Sequence, residues 1–380
     1  MNIVYAIPCP DYGPAEEKIN ELLAMMGGMG QFAAAGERIV LKPNLLTAAQ
    51  PDHAATTHPA VVAAAGKLVK QTGAAAALID SPGSGFPHNE KTLRKVYAAC
   101  GMNDAAAQAG IELSFDITSQ VVSFPQGVLM KRFDILTPLA QADGVINLCK
   151  LKTHGFLGMT GAVKNSFGAI PGRDKPGFHA KLHDPARFAA MCLDLSACVA
   201  PRLSIMDAVV GMEGNGPHNG SPRQIGLLLA STSPLALDVV ATEIIGMKRE
   251  QNPLLMEAAR RGWTPTRLDE IELIGLEKEK LRVSGFKLPM TVLSSAGSVA
   301  LRLFTPIFKQ AFSVRPQILA EKCVGCGACR DACPVQVITI EQRVAQIRQR
   351  DCIRCYCCHE MCPHNAIVLQ ESALYRLLHR

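Results

Sequence analysis

The sequence predicts two folded parts: a long N-terminal α/β domain with a mostly parallel sheet, and a small C-terminal α+β domain. Short apolar runs alternate with amphipathic stretches through residues 1–280, as in chains whose parallel strands are joined by helices. The composition then changes, because nine of the 14 cysteines lie from Cys323 onward. A chain of 380 residues also exceeds what one core usually holds, so more than one domain is expected.

The period of the apolar residues gives the elements of the N-terminal part. We expect strands at 37–41, 75–79, 144–148, 203–206 and 225–230, and helices at 59–71, 187–199 and 234–246. Thr57 as N-cap and Pro59 in the first turn mark the start of the first helix. Open parallel sheets bind ligands beyond the carboxyl ends of their strands, so the residues that follow the strands are the candidate site.

Polar residues follow four of these strands. They are Lys42-Pro43-Asn44, then Asp80-Ser81, then Lys150 to His154, and finally Asp207 with the glycine-rich residues 211–220. One polar loop is ordinary, because turns need polar residues. Four loops that meet at one edge of a sheet predict a binding site.

An internal repeat of cysteines fills the C-terminal part. The pattern C-x-x-C-x-x-C-x-x-x-C-P occurs twice between Cys323 and Cys362. Three thiolates on one tight loop can bind three corners of an iron–sulfur cube, and the fourth cysteine, before proline, ligates the other cluster. We therefore predict two 4Fe-4S clusters with crossed ligands: Cys323, Cys326, Cys329 and Cys362 for the first, and Cys352, Cys355, Cys358 and Cys333 for the second.

This doubled motif resembles the bacterial two-cluster ferredoxins, which implies electron transfer. Zinc ribbons usually lack the third closely spaced cysteine, and disulfide frameworks belong to small secreted chains. Cys357 falls off the pattern and is expected to be a spare thiol packed beside a cluster. Alternating residues at 337–341 and 344–347 predict a short hairpin between the two motifs.

The N-terminal part resembles the domain of unknown function 362 family, in which such a domain is commonly joined to a two-cluster ferredoxin module. The resemblance covers roughly residues 35–250. It rests on Lys42-Pro43-Asn44, Thr57-His58-Pro59, Lys152-Thr153-His154, Lys164-Asn165 with Gly168, Asp207 to Pro217, and Asp238 after Ser233-Pro234. It implies an architecture and a set of candidate site residues, and leaves the substrate and the reaction open.

Positive charge is concentrated at residues 150–187, which hold seven cationic and two acidic side chains. The segment could be an anion site for carboxylate or phosphate groups, or a solvated basic face. Its three histidines, His154, His179 and His183, could instead hold a metal, since the last two have the spacing of one helical face.

Candidate roles follow from these patterns. We assign proton transfer and catalysis to His154, Lys152 and Lys164, and ligand binding to Lys42, Asn44, Asn165, Asp207 and Glu213. The 211–220 turn is expected to present Glu213, with Asp207 at the strand end, although either acid could equally pair with a lysine. Residues 214–217 lack the third glycine of a dinucleotide motif, and no P-loop occurs, so NAD and ATP are not predicted.

The proposed boundaries are an α/β domain at 1–280, a connector at 281–315 and the ferredoxin-like domain at 316–380. No apolar stretch of eighteen residues is free of charge, and the first residues lack a signal-peptide pattern, so we expect no membrane span and a cytoplasmic protein. The formal charge of +6 falls to roughly +2 once thiolates and cluster cores are included, and nucleic acid is therefore not predicted.

The favoured interpretation is that the chain is an iron–sulfur redox protein. Its ferredoxin domain would pass electrons to a site in the α/β domain that acts on an anionic small molecule. One alternative is an electron-transfer or maturation protein whose α/β domain docks a partner. Another is a non-redox metal-dependent enzyme with regulatory clusters. The sequence leaves open whether the N-terminal domain is an enzyme, and it predicts an electron donor or acceptor protein as partner.

Overall fold

The computed structural model describes residues 2–83, 86–295 and 314–371. Its strands are β1 (Ile3–Pro8), β2 (Arg38–Pro43), β3 (Ala75–Leu78), β4 (Glu112–Leu113), β5 (Ser119–Ser123), β6 (Arg132–Leu136), β7 (Gly144–His154), β8 (Gly158–Thr160), β9 (Leu203–Glu213), β10 (Ser221–Ser231), β11 (Glu272–Ile274), β12 (Arg315–Ile318), β13 (Ile338–Glu341), β14 (Val344–Ile347) and β15 (Ile367–Gln370).

The α-helices in the same residues are α1 (Ala15–Ala24), α2 (Pro59–Gln71), α3 (Glu90–Ala99), α4 (Met102–Ala109), α5 (Thr137–Ala140), α6 (Ala162–Asn165), α7 (Lys175–Lys181), α8 (Pro185–Val199), α9 (Pro234–Ile244), α10 (Pro253–Arg260), α11 (Met290–Ser295), α12 (Ala328–Asp331) and α13 (Cys357–Glu360). Among the described residues, no helix is both long and apolar enough to span a membrane.

One mixed, mostly parallel sheet organises the N-terminal part, as predicted. The described strands follow the order β11-β1-β10-β9-β7-β2-β3-β4, with β8 paired to β7. β2 is parallel to both β3 and β7, and β7 is parallel to β9. β10 is antiparallel to both of its neighbours, β1 and β9. The central strands β2, β7 and β9 therefore bring their carboxyl ends to one edge.

The core lies on both faces of this sheet. Leu41 and Leu148 pack with one helix layer that includes α1, α2 and α4, whereas Val40 and Cys149 pack with the layer of α8 and α9. Successive strand residues point to opposite faces, so apolar residues at consecutive positions fill both layers. Burial of each Leu or Val side chain stabilises the fold by about 1.5 to 3 kcal/mol.

β7 and β9 are longer than the sequence predicted. Each runs for eleven residues, so Lys150, Lys152, His154 and Asp207 lie inside strands and not after them. Every residue of β7 is buried, and its polar side chains find hydrogen-bond or electrostatic partners within the fold. A polar residue therefore did not mark the end of either strand.

The start of α2 was predicted at the right residue with the wrong cap. The His58 side chain accepts a hydrogen bond from the Ala60 N–H at the start of α2. Thr57 instead joins the end of β2 to the middle of β7, because its hydroxyl accepts from the Asn44 N–H and donates to the Leu148 carbonyl. The residue expected to cap the helix thus fixes the loop after β2.

The C-terminal part consists of short elements around the cysteine loops. β13 and β14 form the predicted antiparallel hairpin, and Gln342 and Arg343 at its turn have positive φ. β12 pairs with β15. The first part of the proposed connector packs on the α/β domain through the buried Leu281, whereas its residues 296–313 lie outside the described residues.

Candidate functional site

Five lysines gather at the carboxyl edge of the sheet and in the segments after it. Lys42, Lys150, Lys152 and Lys175 are at most 4% exposed, and Lys164 is half-buried. The buried lysines of residues 150–187 are therefore not a solvated basic face, whereas Arg173, Lys181 and Arg187 of the same segment are exposed. Burial of an ammonium group is costly unless it is paired, so the partner of each lysine indicates its role.

Lys42 forms a buried ion pair with Asp80. The Lys42 Nζ lies 2.7 Å from Asp80 Oδ1, and Asp80 Oδ2 accepts a hydrogen bond from the Leu45 N–H. A Cβ at Gly168 would overlap this pair, which accounts for a glycine there. Lys42, a predicted ligand-binding residue, is thus neutralised within the fold.

Lys150 is neutralised in the same way by Asp207. The Lys150 Nζ lies 2.8 Å from Asp207 Oδ2, and both side chains are fully buried. Asp207 also accepts hydrogen bonds from the Tyr12 hydroxyl and the His58 N–H, each at 2.9 Å. The ring of Tyr12 stacks on that of His58, with centroids 3.5 Å apart. Asp207 therefore pairs with a lysine, the alternative that the sequence left open.

Three asparagines connect Lys152 with α6, whose last residue is Asn165. The Lys152 ammonium donates to Asn44 Oδ1 at 2.7 Å and to the Ala55 carbonyl. The Asn44 amide donates to Asn165 Oδ1, and the Asn165 amide donates to Asn147 Oδ1. Three predicted site residues, Lys152, Asn44 and Asn165, thus lie together. Asn147 was missed, although a lone amide in an otherwise apolar strand was the available signal.

Lys152 and Lys175 have no directly bonded carboxylate among the described residues. Burial, and then the charge of Lys164, lowers the pKa of Lys152 to about 7. Burial also lowers the pKa of Lys175 to about 7. Lys175 donates only to the carbonyls of Ser81 and Pro82 among the described residues. Each lysine can therefore exchange a proton near neutral pH.

His154 presents one nitrogen to the second cysteine loop. Its Nδ1 accepts hydrogen bonds from the Phe156 and Leu157 N–H groups, so the proton of the neutral ring is on Nε2. His154 Nε2 lies 3.2 Å from Glu360 Oε1. The two atoms do not meet hydrogen-bond geometry, and both are buried without a hydrogen-bond partner. Burial and the charge of Lys164 hold the pKa of His154 well below its usual range.

Glu360 is a site residue that the sequence did not identify. Burial raises the pKa of its carboxyl to about 7, against the opposing charges of Lys164 and Lys152. Glu360 lies two residues after Cys358, within the second cysteine motif. The spacing of the cysteines accounts for that motif as a set of cluster ligands, so nothing in the sequence indicated that an acid inside it would reach the α/β domain.

Lys164 acts electrostatically on several groups of this site. Among the described residues its ammonium group has no hydrogen bond or ion pair, and its Nζ is 5.6 Å from the Phe167 ring centroid. Its charge shifts the pKa values of His154, His179 and Glu360. Each of these three groups has a buried atom without a hydrogen-bond partner: His154 Nε2, His179 Nδ1 and Glu360 Oε1. The surroundings of Lys164 are therefore polar, buried and incompletely satisfied.

Asp238 fixes the short helix that carries Lys164. Its two carboxylate oxygens accept hydrogen bonds from the N–H groups of Ala162 and Val163, the first residues of α6. A Cβ at Gly161 would overlap Asp238, so the close approach needs glycine. The family motif that includes Asp238 thus orients Lys164 and Asn165.

The alternative of a metal site at His154, His179 and His183 is not supported by the geometry of the described residues. His179 in α7 is buried and stacks on Phe188 with centroids 4.6 Å apart, and burial lowers its pKa to about 3. His183 is exposed beyond the end of α7. Within the described ranges, no group of three or more His, Cys, Asp or Glu residues is placed to hold a single metal ion.

Glu213 belongs to a different contact. It is the last residue of β9, not part of a ligand-presenting turn, and it accepts a hydrogen bond from the Lys287 N–H. The Gly214 N–H donates to the Lys287 carbonyl. Glu213 therefore anchors the segment after residue 281, and its contacts are separate from those of Lys164.

The cysteines fit the crossed arrangement of two clusters. Cys323, Cys326, Cys329 and Cys362 line one cavity with apolar neighbours, so the last cysteine of the second motif joins three of the first. Burial raises the pKa of Cys358, and the charges of Cys355, Cys352 and Cys333 add to this effect. Cys333 is thus near the second set of thiols. Backbone N–H groups donate to sulfur at Cys323, Cys333 and Cys362, and such hydrogen bonds favour the thiolate form of a ligand.

The second cysteine loop packs against the lysine cluster. The Asn219 amide donates to the His359 carbonyl at 2.7 Å, beside the contact between Glu360 and His154. The hydrogen bond with Cys357 lowers the pKa of Cys355, and the charge of Glu360 acts in the opposite direction. Cys357 is fully buried, as a spare thiol beside a cluster would be.

Comparisons with known proteins identify both parts of the chain. Residues 39–243 match the family described as domain of unknown function (DUF362), and residues 322–366 match the 4Fe-4S dicluster domain. The chain is 36% identical over 282 residues to the thylakoid-associated protein sll1697 of Synechocystis sp., an alignment that covers 72% of this chain and 83% of that protein.

A solved structure gives a weaker match. The lactate racemase apoprotein from Thermoanaerobacterium thermosaccharolyticum aligns with a TM-score of 0.38 and 12% identity. The alignment covers 64% of this chain and 57% of that one.

Proposed function

The chain belongs to the DUF362 family and carries a 4Fe-4S dicluster ferredoxin domain, and from this premise we propose that it is an oxidoreductase acting on a small anion. The anion binds beside Lys164, at the carboxyl edge of the α/β sheet. The clusters supply single electrons when bound. The two cluster sets named above are the proposed ligands, and an electron-transfer protein is the proposed partner.

The charge balance of the buried lysines carries this proposal. Asp80 and Asp207 neutralise Lys42 and Lys150, whereas Lys152, Lys164 and Lys175 have no ion pair among the described residues. Glu360 is the acid whose pKa responds to Lys164 and Lys152. A bound carboxylate or phosphate group would supply the missing negative charge and accept charge-assisted hydrogen bonds.

His154 is the proposed neutral hydrogen-bond donor of the site, because burial and Lys164 hold its pKa well below its usual range. Its Nδ1 is occupied by two backbone N–H groups, so Nε2–H is the group that can donate a hydrogen bond to a bound anion. Nε2 has no hydrogen-bond partner, and Lys164 acts on the same ring. An anion held by Lys164 would therefore lie within the reach of one neutral donor and one cation.

Calorimetry on the anaerobically purified full-length holoprotein tests the anion site, with oxalate and inorganic phosphate as probes. Lys164→Ala is expected to weaken binding by about 10-fold to 150-fold, which corresponds to about 1.5 to 3 kcal/mol for charge-assisted hydrogen bonds. Lys181→Ala is the matched control, because Lys181 is an exposed lysine of the same segment.

Equal affinity in the Lys164→Ala and Lys181→Ala proteins, or no binding of either probe, would remove the anion site. The docking alternative makes a different prediction: the Lys164 substitution would then slow association with a protein partner in a salt-dependent manner.

We also propose that the protein works in the cytoplasm. The described cysteines, including five outside the two motifs, are all unpaired. A reducing compartment preserves such thiols and the thiolates that bind clusters.

A further inference from the structure

The two cysteine loops have different surroundings. In the first loop, Cys326 is exposed and Val324 is 44% exposed. In the second loop, Cys355 and Cys358 are each 7% exposed. The two loops are therefore not equivalent, although their sequences repeat.

The second loop meets the proposed anion site directly. Glu360 Oε1 lies 3.2 Å from His154 Nε2, and the positive charges of Lys164 and Lys152 act on the same carboxyl group. Glu360 also lies in α13 (Cys357–Glu360), the short helix that contains Cys358, a ligand assigned to the second cluster. Glu360 thus joins the proposed anion site to the loop that holds the second set of thiolates.

We propose that binding of an anion at Lys164 is coupled to the redox state of the second cluster, with Glu360 as the residue that couples them. This inference rests on the proposed function. It assigns the second cluster, not the first, as the one that responds to the ligand.

The direction of the coupling follows from charge. An anion that accepts a hydrogen bond from the His154 Nε2–H and pairs with Lys164 offsets the positive charge of Lys164 that acts on the Glu360 carboxylate. The negative charge of Glu360 then acts more strongly on the second cluster, and the anion adds its own charge. Like charges repel strongly in a protein interior, so the added anion opposes the added electron. By linkage, reduction of the second cluster weakens anion binding by the same factor.

A redox titration of the full-length holoprotein, monitored by electron paramagnetic resonance with and without saturating oxalate, tests this coupling. The signals are assigned with the Cys326→Ser and Cys355→Ser proteins, each of which perturbs one cluster. Oxalate is expected to lower the potential of the second cluster and to leave the first nearly unchanged. A tenfold preference of oxalate for the oxidised form corresponds to a shift of about 59 mV.

Glu360→Gln is expected to reduce the oxalate-induced shift, because the amide keeps the size of the side chain and loses its charge. Glu341→Gln is the control, since Glu341 is an exposed acid of the same domain. A larger shift at the first cluster, an unchanged potential at the second, or an equal shift in the Glu360→Gln protein would overturn the coupling.

Calorimetry separates the two proposals. If oxalate binds and the second-cluster potential does not move, the coupling is wrong and the anion site stands. If neither oxalate nor phosphate binds, the proposed function fails and the coupling fails with it.

Discussion

Replacement of Asp207 by alanine should destabilise the fold and not abolish anion binding directly. The change leaves the Lys150 ammonium fully buried without its ion-pair partner. Loss of one member of a buried pair costs about 3 to 5 kcal/mol. The Tyr12 hydroxyl and the His58 N–H also lose an acceptor, but both residues are partly exposed, so water limits that additional cost.

The double variant Lys150→Met/Asp207→Leu tests whether the unpaired charge is the cause. Apolar residues often replace a buried ion pair with little loss of stability. We therefore expect the double variant to recover most of the free energy of unfolding that Asp207→Ala loses. Lys67→Ala is the surface control: its exposed pair with Glu16 should contribute about 0 to 1 kcal/mol.

Urea unfolding of the full-length holoprotein, followed by far-ultraviolet circular dichroism, measures these differences. The reasoning is refuted if Asp207→Ala unfolds at the urea concentration of the wild type. Loss of oxalate binding in a variant of unchanged stability would instead make Asp207 a ligand-binding residue, as the sequence suggested.

Two other predictions concern the charges and the clusters. Oxalate affinity should fall as the pH rises through about 7, because the pKa of Lys152 is lowered to about 7 and the ammonium form that binds an anion is lost above it. A Lys152→Met protein should show a flatter dependence of oxalate affinity on pH by calorimetry. An unchanged pH dependence would mean that Lys152 is not the titrating group. Cys333→Ser should damage the second cluster and spare much of the first, whereas Cys357→Ser should keep both clusters. Iron and sulfide content and electron paramagnetic resonance signals measure this. Loss of a cluster in the Cys357→Ser protein would contradict the ligand assignment.

The sequence predicted the parts of the fold that depend on local pattern. The helix at 59–71 has the expected bounds, and the repeated cysteine spacing predicted the shared cavity of Cys323 and Cys362. Periodicity and turn chemistry are properties of neighbouring residues, so they can be read without knowledge of the tertiary structure. The same is true of the hairpin between the two cysteine motifs.

The role of each charged residue could not be read in this way. Lys42 and Lys164 each belong to a family motif. Asp80 neutralises Lys42, whereas Lys164 has no ion pair among the described residues. The difference depends on which acid the fold brings near, over separations of tens of residues. For the same reason Glu360, more than two hundred residues beyond His154, gave no signal.

The two buried ion pairs and the lysines without a carboxylate partner have different roles at this edge of the sheet. Lys42 with Asp80 joins the segments at the ends of β2 and β3, and Lys150 with Asp207 joins the neighbouring strands β7 and β9, without adding net charge. The charges of Lys152 and Lys164 then repel each other across a site whose burial already disfavours the charged form of Lys152. Such an arrangement is unfavourable for the empty protein and favourable for a protein that holds an anion, because a ligand that binds only the native state stabilises it. Under the proposed function, an anionic ligand would offset the cost of burying these lysines, beside a cysteine loop that contributes the acid Glu360.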